Sequence, residues 1–446
     1  MLTHTNNSNY NFRTLNYLGS KLRLLDFIKE SISSITPPDA GVCDLFAGSG
    51  CVSYRLSPVY PVTACDIQHY SEVICNALLH PNNINDAAVN QFVSRIREAD
   101  DNPLSTAFRP LIELESIAII NRNLETLTDI IEHGSLEVFR LEGTDSIISS
   151  TQSKVLDRLV SLGLDGKDSL LSRYYGGVYF SYSQAVQIDA IMGAIRHYPN
   201  STDKTVLLAA LLSTVSDIAC TVGKHFAQPV KARDSKGNIK PLVYNKAIKD
   251  KTIDVLDLYE EWLHKYVSLQ RSEHQHTVIQ GDYLDCLNRL PSNVHTVYAD
   301  PPYTRDHYSR FYHVLETIAL DDTPELSTVT IHGDSHVSNG IYRKDRHQSP
   351  FCIRSKAPVA FNDMFRAISV SGRQLLLSYS PYDETKDTHP RVVTIKQLIT
   401  WAGNYFNNVE IVSAGHFTHN KLNSTEHFLE SSDEAEMLIV CRNIEL

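Results

Sequence analysis

A short apolar strand that runs directly into a glycine turn, from Val42 to Gly50, most constrains the fold of this chain. Glycine lets a backbone turn sharply and approach a ligand closely. A second short strand, Val62 to Asp66, ends in an acid, and Glu72 to Leu79 then has the apolar spacing of a helix. Alternation of strand, helix and acid-ended strand is typical of the front half of a doubly wound α/β sheet.

Strand patterns return only in the last part of the chain, after a long segment with helical spacing. We expect strands near 278–282, 296–299, 374–379, 409–413 and 437–441, and helices within 116–132, 153–164, 183–195 and 203–222. The predicted fold class is therefore α/β, a Rossmann-like doubly wound sheet with a large, mainly helical insertion. The predicted division is an N-terminal sheet part at 1–81, an insertion at 82–276, and a C-terminal sheet part at 277–446 with a long polar loop at about 323–360.

Composition and the N-terminal residues lead us to expect a soluble globular protein that is neither membrane-bound nor secreted. Hydrophobic residues make up 42% and charged residues 21% of its 446 residues. Residues 1–16 lack the apolar core of a signal peptide, and the apolar segment 206–222 contains Asp217 and is short for a membrane span. Eight scattered cysteines without a CxxC pair fit a reduced compartment, and no zinc or other metal site is expected. We therefore expect a cytoplasmic protein.

The motif Asp300-Pro-Pro-Tyr303 follows the apolar run from Val294 to Ala299. The Asp300 carboxylate and the Pro301 carbonyl are acceptors that can hold the two N–H groups of an aromatic exocyclic amine, which directs the amine's lone pair toward an incoming group. Pro301 and Pro302 stiffen the turn. Tyr303 can stack on a base, which implies that the base leaves its duplex. The residue types thus indicate methyl transfer to an exocyclic amine.

The glycine turn indicates the kind of cofactor. Its spacing is Gly48-x-Gly50, without the third glycine of the dinucleotide pattern, so a nucleoside cofactor is favoured over a nicotinamide dinucleotide. Asp66 ends the next strand, where acids of doubly wound sheets accept hydrogen bonds from ribose hydroxyls. The alternative at this point is an ordinary strand–turn–helix with a capping acid.

The segment Asp44-Leu-Phe-Ala-Gly-Ser-Gly50, taken with Asp300-Pro-Pro-Tyr303, resembles the motifs of the S-adenosylmethionine-dependent DNA adenine-N6 methyltransferases. The motif order resembles the α-type, restriction-associated members. Tyr17-Leu-Gly-Ser-Lys21 is similar to the family's N-terminal motif, which lies beside the methionine part of the cofactor. Asp282-Tyr283 is similar to the family's acid motif, which contacts the adenine of the cofactor. The resemblance implies S-adenosylmethionine as cofactor and Asp300, Pro301, Pro302 and Tyr303 as catalytic residues. The implied cofactor-binding residues are Tyr17, Lys21, Asp44, Phe46, Gly48, Gly50, Asp66, Asp282 and Tyr283.

Two basic segments are candidate DNA-contacting surfaces, because a net charge of −11 leaves only local basic surfaces for nucleic acid. They run from Lys224 to Lys246, with a hairpin tip expected at Gly237-Asn238, and from Arg343 to Lys356. Arg305 and Arg310, just after the catalytic motif, either line the base pocket or cap the next helix. The candidate DNA-binding residues are Lys224, Lys231, Arg233, Lys236, Arg305, Arg343, Lys344 and Arg346.

The resemblance implies a site-specific enzyme that methylates adenine N6 in double-stranded DNA, as the modification arm of a restriction or phage-defence system. A cognate endonuclease would be a separate polypeptide. Methylation of RNA adenine is one alternative, and a non-catalytic, S-adenosylmethionine-gated DNA-binding protein is another. A nicotinamide oxidoreductase is disfavoured by the missing glycine.

Overall fold

A computed structural model describes residues 10–98, 102–380, 391–413 and 437–443 of the chain. Their contacts separate two compact units, each built from more than one segment of the sequence. Unit 1 contains Met1–Pro81, Leu269–Ser309 and His347–Leu446, and unit 2 contains Asn82–Ser268 and Arg310–Arg346. The predicted domain division stays a prediction, and these units differ from it in residues 269–276 and 310–346.

The strands within these described ranges form one seven-stranded sheet and one two-stranded hairpin. Their bounds are β1 Gly41–Asp44, β2 Val62–Asp66, β3 Thr277–Gln280, β4 Val294–Ala299, β5 Thr328–Ile331, β6 Asp334–Val337, β7 Gln374–Tyr379, β8 Asn408–Ser413 and β9 Met437–Arg442. The large sheet belongs to unit 1 and has the order β3-β2-β1-β4-β7-β9-β8. All pairs are parallel except those that β9 makes with β7 and β8.

The helices account for most of the remaining described residues. Their bounds are α1 Leu25–Ser33, α2 Cys51–Leu56, α3 His69–Leu79, α4 Asp86–Glu98, α5 Pro103–Ile120, α6 Leu124–His133, α7 Leu136–Glu142, α8 Ser149–Ser161, α9 Leu170–Tyr175, α10 Tyr182–Arg196, α11 Ser201–Ile218, α12 Leu242–Asp250, α13 Val255–Val267, α14 Tyr283–Asn288, α15 Tyr308–Phe311, α16 His313–Leu320, α17 Ala357–Val370 and α18 Ile395–Ala402.

The order of the sheet reverses between β1 and β4, which pair in parallel. In doubly wound sheets the crevice beyond the carboxyl ends of the strands at such a reversal is where ligands bind. The glycine turn follows β1 and the Asp300 motif follows β4, so both sequence motifs leave the sheet at this place. The predicted α/β fold class is confirmed, and β2 and β7 have the predicted bounds.

Unit 2 is mainly helical, as the spacing of its apolar residues predicts. The predicted helix within 116–132 is wrong in one respect, since two helices, α5 and α6, occupy this region. Arg122 has a positive φ of 53°, and the Asn123 side chain accepts a hydrogen bond from the Thr126 amide as the cap of α6. A polar cap ends one helix and begins the next, although the apolar spacing continues through it.

The predicted long loop at 323–360 is also corrected. It contains the hairpin β5–β6, and α17 begins at its end. The strand β5 alternates polar and apolar residues, Thr-Val-Thr-Ile, but it is exposed at all four positions and lies within a polar segment, whose composition indicates a loop. The apolar segment 206–222 lies mostly in the buried helix α11. Among the described residues, no helix is long and apolar enough to cross a membrane.

Candidate active site

The glycine turn after β1 is held by two carboxylates. Asp44 is buried, and its Oδ2 accepts a hydrogen bond from the Ser53 hydroxyl at 2.7 Å. Burial raises the pKa of Asp44 to about 7, with Asp300 and Asp66 adding to the rise. The Asp66 carboxylate accepts hydrogen bonds from the amides of Gly48 at 2.8 Å and Gln68 at 2.9 Å. The acid that ends β2 therefore fixes the turn that follows β1.

Gly48 is needed here for a reason that the sequence did not reveal. Its φ is +52°, and a Cβ at this position would lie 2.6 Å from the hydroxyl oxygen of Tyr17 and 2.7 Å from its Cζ. No side chain can occupy that space without moving the tyrosine. The glycine thus makes room for an aromatic ring of the protein itself.

We expect Gly48→Ala to lower the free energy of unfolding by about 2–4 kcal/mol, because overpacking adds to the strain of a positive φ. Gly372→Ala is the matched control, since Gly372 has a φ of +73° and open space where its Cβ would be. Urea unfolding of both variants measures the difference. Equal losses in the two variants would show that Tyr17 does not press on this position.

The Asp300 motif is anchored by an ion pair. The Lys21 ammonium lies 2.8 Å from Asp300 Oδ2, and the two side chains are 6% and 20% exposed. The same Nζ atom lies 5.9 Å from the centre of the Tyr303 ring. Lys21 comes from the segment before α1, so the N-terminal motif and the catalytic motif meet in one cluster.

The Tyr303 ring is supported by residues that the sequence analysis did not select. Its centre lies 5.0 Å from the Tyr379 ring at the end of β7, and the Arg391 guanidinium carbon lies 4.6 Å from it. The Tyr303 carbonyl accepts a hydrogen bond from the Val392 amide at 3.1 Å. The ring is therefore held by a neighbouring strand and by the segment 391–393, which follows it by almost ninety positions in the sequence.

Three aromatic rings form a second group. The Phe46 ring is stacked on Tyr283 with centres 6.4 Å apart, and Phe351 meets both rings edge-on at 5.4 and 5.0 Å. Asp282 caps α14 by accepting a hydrogen bond from the Leu284 amide. Burial lowers the pKa of nearby His347, and the Asp282 charge opposes this shift. Phe351 and His347 escaped prediction because they lie in a segment whose polar composition indicates a loop.

These groups surround one cavity, which contains about 890 Å³ of unfilled space including open solvent. Predicted residues that line it are Tyr17, Lys21, Phe46, Asp66, Asp282, Tyr283, Asp300, Pro301, Pro302 and Tyr303. Lining residues that were not predicted are Leu18, Leu45, Ile67, Gln68, Tyr70, Gly281, Tyr308, Ser309, His347, Ser349, Pro350 and Phe351. Asp44, Gly48 and Gly50 do not line it, so a direct cofactor contact by the Asp44 side chain has no support in the geometry.

Two of the candidate DNA-contacting residues are corrected by the structure. Arg343 is 2% exposed, and its guanidinium donates to both oxygens of Asp322 at 2.5 and 2.7 Å. The Lys224 ammonium lies 2.7 Å from the buried Asp250 carboxylate. Both cations balance internal acids, and this role is invisible in a local charge pattern.

The other candidate DNA-binding residues differ in their exposure to solvent and in whether an acid already pairs with their charge. Lys231, Lys236 and Arg305 are exposed. Arg233 is exposed and lies 3.1 Å from Glu132, and Lys344 lies 2.7 Å from Glu325. Arg346 is half-buried beside an aromatic ring. The expected hairpin tip at Gly237 is present, with a positive φ of 84° and a bridge from Arg233 to Ile239.

Modification methylases and type II methyltransferases are among the known proteins whose sequences are similar to this chain. Modification methylase LlaI of Lactococcus lactis subsp. lactis is 27% identical over 385 residues, which are 84% of this chain and 48% of the relative. Type II methyltransferase M.FokI of Planomicrobium okeanokoites is 25% identical over 82% of this chain and 44% of its own length. Type II methyltransferase M.NlaIII of Neisseria lactamica is 23% identical over 82% of this chain and 83% of its own length. The chain thus spans about half the length of the first two relatives.

A protein family also matches the chain directly. It is described as D12 class N6 adenine-specific DNA methyltransferase, and it matches residues 17–108 and 233–368. The matched residues make up just over half of the chain and include both the glycine turn and the Asp300 motif. The family expected from these motifs is thereby confirmed. The chain belongs to the D12 class of N6 adenine-specific DNA methyltransferases.

Proposed function

We propose that this chain transfers a methyl group from S-adenosylmethionine to N6 of an adenine within a specific sequence of double-stranded DNA. The observation that carries the proposal is the cluster of Lys21, Asp300 and Tyr303 at the wall of a cavity beside the reversal point of the sheet. The family match supports adenine N6 and DNA, and it favours DNA over the RNA alternative.

The residues that line the cavity fit this cofactor in kind. The aromatic rings of Phe46, Tyr283 and Phe351 suit an adenine ring, and the Asp66 carboxylate suits ribose hydroxyls. Tyr17 and Lys21 would hold the methionine part. When bound, S-adenosylmethionine supplies a methyl group attached to a sulfonium.

The proposed roles of the Asp300 motif follow from the nucleophile. The lone pair of an adenine amine is delocalised into its ring, so the amine attacks poorly unless its N–H groups are held by acceptors. The Asp300 carboxylate and the Pro301 carbonyl accept these two hydrogen bonds, and Lys21 keeps the carboxylate in place. Tyr303 stacks on the flipped base. A nitrogen–carbon bond forms as the sulfur–carbon bond breaks, and the sulfur leaves as a neutral thioether. The amine proton held by Asp300 passes to that carboxylate, and no covalent enzyme intermediate is needed.

The biological setting is proposed from the relatives, which are named modification methylases and type II methyltransferases. We infer that this chain is the modification arm of a restriction or phage-defence system in the cytoplasm. A separately encoded endonuclease would cut the same DNA sequence when it is unmethylated. Among the predicted DNA-binding residues, we propose that the exposed Lys231, Lys236 and Arg305 contact DNA phosphates.

The proposed function is tested by expressing the chain in a host without DNA methylation and mapping N6-methyladenine across the genome. One methylated sequence motif, absent with the Asp300→Ala variant, is the expected result. A folded protein that binds S-adenosylmethionine and leaves the genome unmethylated would contradict the proposed activity.

We expect Phe351→Leu to raise the dissociation constant of S-adenosylmethionine by about 3- to 10-fold, because a leucine fills space but loses the ring contacts, worth roughly 0.5–1.5 kcal/mol. The matched control is Phe365→Leu, a fully buried aromatic of α17 that does not line the cavity. Isothermal titration calorimetry measures both affinities. Unchanged affinity in Phe351→Leu would remove this ring from the proposed cofactor site.

A further inference from the structure

One aromatic ring of unit 2 carries two guanidinium groups. The Arg310 Cζ atom lies 5.7 Å from the centre of the Tyr342 ring, and the Arg346 Cζ atom lies 4.8 Å from it. Arg310 and Arg346 are the first and last residues of the second segment of this unit. A single cation over a ring is common, whereas two like charges on one ring repel each other.

The Tyr342 ring is held firmly in this position. A Cβ at Gly340 would lie 2.3 Å from two atoms of the ring, so the ring packs directly against the glycine backbone. The Tyr342 hydroxyl donates a hydrogen bond to the Ala227 carbonyl. Between Gly340 and Tyr342, Ile341 has a φ of +52°, a left-handed conformation that costs a β-branched residue about 1–3 kcal/mol. Local strain of this kind concentrates at functional sites.

Neither guanidinium forms an ion pair with an acid among the residues that the structure describes. Arg346 donates from Nε to the Arg343 carbonyl at 2.5 Å and from Nη2 to the Ser327 hydroxyl at 3.2 Å. Its Nη1 atom is buried and has no hydrogen-bond partner within the part of the chain that the structure describes. Burial lowers the pKa of Arg346, and repulsion by Arg310 lowers it further.

The neighbouring cations show the opposite arrangement. The guanidinium of Arg343 binds Asp322, and the Lys344 ammonium binds Glu325. The salt bridges that the described residues form do not include Arg310 or Arg346. An anion at this place would satisfy the buried donor and offset the repulsion between the two guanidinium groups. Arginine pairs of this kind suit the several oxygens of a phosphate.

We propose that Arg310, Tyr342 and Arg346 form a clamp for one phosphodiester group of the DNA backbone. This proposal rests on the proposed function, because DNA supplies the phosphate. The ring and the strained loop set the positions of the two guanidinium groups before DNA binds, so less side-chain entropy is lost on binding. The clamp strengthens DNA binding and fixes the position of the protein along the duplex, but it does not recognise any base.

The test is the salt dependence of binding to a short DNA duplex that contains the methylated sequence, measured by fluorescence anisotropy. For the Arg310→Gln/Arg346→Gln variant we expect affinity to fall about tenfold, and the slope of log K against log salt to become shallower by about 0.9 for the lost phosphate contact. Arg310→Gln alone changes an exposed side chain, which should cost little stability, and it should show part of the effect. A full wild-type slope in both variants would overturn the proposal.

A control and a second probe separate the clamp from general charge effects. Arg97→Gln removes the same charge from unit 2 at a residue already paired with Asp257 and Glu260, and it should leave the slope unchanged. Duplexes with one neutral methylphosphonate at successive positions should reveal a position that weakens binding of the wild type and not of the double variant. Absence of such a position would overturn the clamp while methylation persists. A wild-type protein that neither binds nor methylates DNA would overturn the proposed function as well.

Discussion

Asp300→Ala is expected to lower the rate of methyl transfer by about 10³-fold or more, because removing a positioned proton acceptor costs an enzyme about 10²–10⁴ in rate. The same change should alter the dissociation constant of S-adenosylmethionine by less than about threefold, since Asp300 acts on the amine in the transition state. Single-turnover transfer of a radioactive methyl group and calorimetric titration of the cofactor measure the two quantities.

Asp300→Asn sharpens this test, because the amide keeps the size of the side chain and one acceptor oxygen while losing the charge that pairs with Lys21. We expect it to be nearly as inactive as the alanine variant. Asp363→Asn, which changes a half-buried carboxylate paired with Arg366, is the control for charge loss and should retain full activity. Activity within tenfold of the wild type in either Asp300 variant would place the catalytic centre elsewhere.

Tyr303→Ala is expected to lower kcat/KM for DNA by about 5- to 150-fold, which corresponds to the roughly 1–3 kcal/mol of base stacking on an aromatic ring. Tyr303→Phe keeps the ring that contacts Tyr379 and Arg391, and it should retain most of the activity. The flipped state can be followed directly with 2-aminopurine in place of the target adenine, because its fluorescence rises when it leaves the stack.

We expect the fluorescence increase to be reduced in Tyr303→Ala and kept in Tyr303→Phe. Tyr405→Ala, a half-buried tyrosine that does not line the cavity, is the control for loss of a ring. If alanine at position 303 left both kcat/KM and the fluorescence signal intact, Tyr303 would not be the stacking platform.

The strands of the large sheet and the long helices α8, α10 and α11 follow from local patterns in the sequence. β2 ends at Asp66 and β7 runs from Gln374 to Tyr379 as predicted, because buried parallel strands are short apolar runs bounded by polar residues. Prediction failed where a strand lies within a polar segment and where the apolar spacing of a helix continues across a break. The hairpin β5–β6 is exposed on both faces and was taken for a loop, and the break between α5 and α6 depends on the cap at Asn123.

Local sequence motifs identified the chemistry of the site, since Asp300-Pro-Pro-Tyr303 and the glycine turn need only a few adjacent residues to be recognised. The sequence could not show that Lys21 pairs with Asp300, that Gly48 makes room for Tyr17, or that Phe351 joins Phe46 and Tyr283. It also could not show that Arg343 is buried on Asp322 while Arg310 and Arg346 share one ring. A local pattern reports the type of a residue and its neighbours along the chain. Which charge is neutralised and which remains available depends on partners brought together from distant segments, and only the folded chain decides them.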